Sequence, residues 1–177
     1  MGKGLNISNN EVSARDDALF FQALTGKNGI FEYGNKMDHE VISANQINIK
    51  DGMLQVQGRN YVIYPNDIEE LTIENGTQNT QRYDLVVCEF KKVGSAESME
   101  LKILTGEASL NPVDPVLTQD DTLTSGKTYQ YPLYRIKLNG INIEGIDDLR
   151  TYTPSLKKTL QFVSKGEGTI TVEFDVD

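Results

Sequence analysis

From about residue 40 onward, apolar and polar residues alternate with a period of two, and only one short stretch before that carries a helical period. That stretch runs from Ser13 to Leu24. Ser13 suits an N-cap, Asp16 complements the positive end of the helix three residues later, and Gly26 supplies a left-handed stop. Phe20, Phe21 and Leu24 fall close together in helical register, and a helix of about 12 residues needs such a face packed against something to be stable. The helix is therefore expected to dock through them.

The alternating segments predict strands. Ile47 and Ile49 alternate with Asn48 and Lys50, Asp51-Gly52 reads as a hairpin turn, and Met53 to Gln57 resumes the pattern. Gly58-Arg59-Asn60 turns the chain into Tyr61-Val62-Ile63-Tyr64, stopped by Pro65, which gives a three-stranded meander. Further strands are expected at Leu71-Thr72-Ile73, from Tyr83 to Phe90 and from Met99 to Leu104. Glu107 to Lys127 carries Pro112, Pro115 and Asp120-Asp121, and so reads as a long excursion. Tyr129 to Leu138, Asn139-Gly140 and Ile141-Asn142-Ile143 form the clearest hairpin. After Pro154, Leu160 to Val163 and Thr169 to Val176 flank Gly166-Glu167-Gly168, which predicts a terminal hairpin with an edge open to pairing. The expected fold is mainly β, an antiparallel sheet or sandwich with one N-terminal helix and a C-terminal β-hairpin. Its domain is drawn at residues 1–153 and a hairpin arm at 154–177.

Composition fits this picture and narrows the partners. The 177 residues suit one domain, and 38% hydrophobic with 24% charged residues suits a folded chain. Its formal charge of −9 repels phosphate backbones and anionic lipid, so neither nucleic acid nor membrane is expected as a partner. No apolar run near the N-terminus has the form of a signal peptide, and none elsewhere has the length of a membrane span. Synthesis and folding in a cytoplasm are expected. Cys88, the single cysteine, sits in a strand-like run and reads as a small buried hydrophobe.

Candidate chemistry is sparse. His39 stands between Asp38 and Glu40, which could orient a base, but no nucleophile motif accompanies it, and it reads as a solvated loop residue. One cysteine and one histidine do not make a zinc site, and the pairs Asp16-Asp17, Asp120-Asp121 and Asp147-Asp148 lack the spacing of a calcium loop. No metal, cofactor or catalytic residue is assigned. Tyr129 and Tyr131 share a strand face by alternation; packing is the ordinary role of strand tyrosines, and an alternative reading makes these two a glycan-stacking pair for a host cell-surface polysaccharide.

Four features taken in order carry a resemblance. They are the helix from Asp16 to Leu24, the run from Ile47 to Tyr64 containing Gly58-Arg59-Asn60-Tyr61, the motif Arg82-Tyr83-Asp84-Leu85-Val86-Val87, and the passage from Tyr131-Pro132-Leu133-Tyr134-Arg135-Ile136 to Ile146-Asp147-Asp148-Leu149-Arg150. With Thr105-Gly106, Pro112 and Pro115 between them, they resemble the amino-terminal domain of tail-tip proteins of siphophages and prophages of Gram-positive bacteria, over roughly residues 14 to 152.

The resemblance implies a structural part of the virion, a baseplate or tail-fibre component at the tail tip, made in the host cytoplasm. Its implied partners are further copies of itself, as a symmetric multimer such as a trimer or hexamer, and other tail proteins. Arg82 with Asp84, and Asp148 with Arg150, are then fold-positioning ion pairs or turn caps. The family often continues into a stalk or receptor-binding head, whereas this sequence stops 25 residues after Tyr152, so an adaptor role is expected.

Overall fold

A computed structural model describes residues 12–153, 161–165 and 169–173. The chain is mainly β; among the described residues one helix, α1 (Ala14–Thr25), comes before eleven strands. These are β1 (Gly29–Phe31), β2 (His39–Ser43), β3 (Gln46–Val56), β4 (Arg59–Thr72), β5 (Gln81–Val93), β6 (Ala96–Leu104), β7 (Thr128–Asn139), β8 (Asn142–Asp148), β9 (Tyr152–Thr153), β10 (Gln161–Lys165) and β11 (Thr169–Glu173).

Two sheets face each other. In the first, β3 is the hub: β4 pairs along one side, β2 and β1 along the other, and β9 joins β1 in parallel. The second is antiparallel with the order β6-β5-β7-β8. Ile30, Ile47, Ile49, Leu54 and Ile63 of the first sheet meet Val86, Cys88, Leu133, Ile136 and Leu138 of the second in one buried cluster. Each such side chain contributes about 1.5–3 kcal/mol by leaving water, so this shared interior is what holds the sandwich closed. The C-terminal strands β10 and β11 pair antiparallel, Gln161 opposite Glu173, as the sequence predicts; residues 154–160, the expected turn at 166–168 and residues 174–177 lie outside the described chain.

The helix forms as its caps dictate but does not dock as its apolar residues suggest. Ser13 Oγ accepts from Asp16 N while Asp16 Oδ2 accepts from Ser13 N, a complete capping box, and Gly26 closes the far end. Only Ala18 is buried. Leu19, Phe20, Phe21 and Leu24 are all exposed, Phe20 at 59%, and the core closes between the sheets without them. Contact is made instead at Gly58, where a Cβ would stand 1.7 Å from Ala18 O.

Strand boundaries differ from expectation where a turn signal serves a bulge. Asp51-Gly52 is no hairpin: β3 runs straight through it, and the register with β4 jumps between Lys50 and Gly52. Gly52 is required there by proximity, since a Cβ would lie 2.4 Å from Met37 N. Pro65 does not stop its strand either. Tyr64 to Asp67 bulge out opposite Asp51, with Asn66 at φ 71°, and β4 continues to Thr72, absorbing the strand expected at Leu71. Proline is tolerated at such a bulge because no ladder donor is needed. The meander is thus two long strands, turned one residue earlier than expected, at Gln57-Gly58 between the paired Val56 and Arg59. The second clear hairpin is likewise shifted by one: Asn139 pairs with Asn142, so Gly140-Ile141 makes the turn.

The excursion is a strap. Ser109 bridges to Gln81 on the β6 side of β5, and Thr118 and Asp120 bond to Gln130 and Thr128 beyond the other side of β7. Between those anchors the chain crosses the outer face of the second sheet, where Asp114 binds Arg135 beside buried Leu85 and Val87.

Candidate functional site

The charged residues singled out by the sequence fall into two clamps. Arg82 and Asp84 are two apart on β5, and alternation puts them on one side of the strand. Arg82 Nε and Nη2 donate to Asp84 Oδ1 and Oδ2 at 2.9 Å each, with Asp84 fully buried. The remaining donors reach Glu74 O at 2.6 Å and Asn75 O at 3.3 Å, and Asp84 Oδ1 also accepts from Gly106 N at 2.9 Å. The pair therefore ties together β5, the chain leaving β4 and the start of the strap.

Asp148 and Arg150 form the second clamp, where β8 ends. Arg150 Nε and Nη2 donate to Asp148 at 2.9 and 2.8 Å, its backbone N–H adds a third bond, and Nη1 reaches Lys36 O at 2.8 Å. Its guanidinium lies 4.8 Å from the Tyr134 ring centre, whose hydroxyl donates to Met37 O at 2.9 Å. The hydrogen bonds from Arg150 hold the Asp148 carboxyl below the usual aspartate range. This clamp fastens the loop at 36–37 across the two sheets.

His39 sits at the start of β2 rather than in a solvated loop. Its ring packs 4.6 Å from that of Tyr134, and Nδ1 lies 3.6 Å from Asp38 Oδ1. Cys88 is fully buried as expected, and burial, with Glu69, Glu100 and Glu89 nearby, pushes its thiol far up, away from thiolate chemistry.

Tyr129 and Tyr131 share one side of β7, but it is the inner side. Tyr131 is 6% exposed and its hydroxyl meets Thr151 Oγ1 at 2.8 Å; Tyr129 is half-buried and accepts from Asn28 Nδ2 at 3.1 Å. Both pack on the core cluster, so they offer no paired platform for a sugar ring.

Several residues with structural work were given no role by the sequence. Arg135 joins the strap to β8 by bonding both Asp114 and Asp147, and Glu89 accepts from Lys102 at 2.7 Å and Gln130 at 2.6 Å. Gln57 accepts from Thr122 N at 2.9 Å and donates to Asp120 O at 3.1 Å, holding the far end of the strap. Only Arg135 carried a signal, as a charge inside an otherwise apolar strand; the others depend on partners more than a dozen residues away.

Apolar side chains stay uncovered on the α1 face and along the outer edge of the strap, where Leu110, Val113 and Val116 are 78%, 71% and 94% exposed, and also on β2 at Val41 and Ile42 and on β4 at Tyr64 and Ile68. Among the described residues no helix is long and apolar enough to cross a membrane, and no group of three or more metal-ligating side chains occurs. Compared with protein-family models and with curated proteins, the chain matches none.

Proposed function

We propose that the chain is a structural component of a phage or prophage tail tip, a baseplate or tail-fibre adaptor that assembles with itself and with other tail proteins. One observation carries the reading beyond the ordered motifs. Within the motifs that resemble the family, Arg82, Asp84, Arg135, Asp147 and Arg150 bind other segments of the same chain, and Asp148 holds Arg150 in place. Charges placed in this way build a scaffold, and none is left converging on a substrate-sized space. The uncovered face of α1 agrees with a part that meets a second copy of itself, since exposed aromatic clusters are the surfaces that subunit contacts bury.

Antibody-gold labelling of tailed particles induced from the source bacterium tests the reading. Gold at the tail tip is expected. Unlabelled tips on particles from cells that express the protein would overturn it.

A further inference from the structure

In a chain of charge −9, positive side chains gather at one cleft. It measures about 340 Å³ and opens between α1, the β5–β6 turn and the loop at 122–127. Arg15, Arg59, Lys92 and Lys127 line it, together with the hydroxyl-bearing Thr122, Thr124 and Ser125, and no carboxylate is among its lining residues.

Local hydrogen bonds fix some of these groups and leave others available. Arg59 is the floor: its side chain is 10% exposed, stacks 4.2 Å from the Phe90 ring centre and donates to Thr122 Oγ1 at 3.1 Å. Arg15 Nε donates to Leu123 O at 2.9 Å, which holds its guanidinium at the rim. The nearest acids are already engaged. Glu97 bridges Arg59 and Lys92, Asp120 accepts from the Lys127 and Thr128 amides, and Asp121 accepts from Leu123 N and the Thr124 hydroxyl. Lys127 is exposed and pairs with no carboxylate among the described residues.

We propose that this cleft binds a phosphate-type oxyanion. Its cations enter from four separate segments, α1, β4, β5 and the loop before β7, and so surround a ligand. A planar carboxylate is satisfied by a single fork from one side, whereas the terminal oxygens of a tetrahedral phosphate point in different directions and use donors from several sides. The volume lies at the small end of ligand sites, which suits one phosphate with a small substituent. The remaining surface charge is repulsive, so attraction is short-range and weakens with salt. The inference stands apart from the tail-tip reading and does not depend on it.

Titration of the full chain, followed by the amide NMR signals of residues 122–127, tests the site. The probes are inorganic phosphate, glycerol 1-phosphate and bis-glycerol phosphodiester, with acetate as the control. Saturable shifts with at least one phosphate probe and a much weaker response to acetate are expected. Lys92→Ala with Lys127→Ala, both at exposed positions, should weaken binding by about tenfold or more, while Lys137→Ala outside the cleft leaves it unchanged. A preference for the diester points to a phosphate-linked polymer as the source, and a preference for the monoester to a free phosphorylated metabolite. Equal responses to phosphate and acetate, no saturation with any phosphate probe, or full binding by the double variant in its folded state would each overturn the proposal.

Discussion

Arg82 and Asp84 meet through two N–H···O bonds of 2.9 Å each, on a strand interior where Asp84 has no exposed surface. Asp148 and Arg150 repeat the two-bonded arrangement with the residue order reversed. The first follows from a spacing of two on an extended strand, which places the partners side by side; the second closes a turn after β8, where the Arg150 N–H also bonds to Asp148 Oδ1. They differ in burial: the Asp148 side chain is 47% exposed. That difference sets how much each clamp matters.

Arg82→Ala should cost about 3–5 kcal/mol, because Asp84 is left buried without its partner. At this chain length that lowers Tm by on the order of 10 °C. Arg150→Ala should cost clearly less, since water screens Asp148. Thermal and denaturant melts of the two variants check the order, and equal losses would refute the argument from burial.

Acid should weaken the fold through Glu89. Burial alone would raise its carboxyl, but the bonds from Lys102 and Gln130 outweigh that and hold it below the ordinary glutamate range. A carboxylate lowered on folding adds stability that is fully present above its unfolded value of about 4.3, and this is lost as pH falls through the folded value. Glu89→Gln should therefore be less stable than wild type at pH 7, and the gap should shrink toward pH 3. Denaturation curves at both pH values decide; a gap that stays constant or widens refutes the linkage.

Gly58→Ala should release α1. A Cβ there meets Ala18 O, and the residue is held at φ 76°, which alone costs a side chain about 1–2 kcal/mol. Faster hydrogen exchange over residues 14–25, with β5 and β7 still protected, is the expected pattern. Unchanged exchange in α1 would mean that Ala18 is not its anchor.

Phe20→Asp with Phe21→Asp should barely alter the melt, by about 0.5 kcal/mol per site, because neither ring is buried in the chain. Light scattering should show a lower mass than wild type if this face joins copies. An equal mass for both proteins would exclude it as the self-contact.

Asp114→Ala should loosen the strap without unfolding the sandwich. The Arg135 bonds hold its middle, while Ser109 and Thr118 hold its ends. Limited proteolysis should cut faster between residues 109 and 118, with stability lowered by about 1 kcal/mol or less. A wild-type cutting rate would show that the ends alone suffice.

The sequence carried those features whose cause is local. Ser13, Asp16 and Gly26 bracket α1 because caps act within one turn, and the Arg82–Asp84 pairing follows from strand alternation. Other features were decided at a distance. Asp51-Gly52 has the chemistry of a tight turn, yet it became a bulge because Met37 packs against Gly52, and Met37 is held there by the Tyr134 hydroxyl. Likewise the exposure of Phe20 and Phe21 could not be read from helical period, which gives a face but not what stands opposite it. Tyr131 presented the same ambiguity, since alternation assigns two tyrosines to one side without saying which side is inside.

The strap also sets the order in which the fold can assemble. Each of β3–β4, β5–β6 and β7–β8 is joined by a short turn and can zip locally, but the seam between β5 and β7 brings Gln81 opposite Asn139 across the whole intervening chain. Closing such a loop costs entropy before any contact repays it. We expect three early hairpins and a slow step in which that seam forms, and the strap can lie across the outer face only once both strands beneath it are in register. Until then Leu85 and Val87 face water, so the interval before the seam closes is when the chain is most exposed to association with its neighbours.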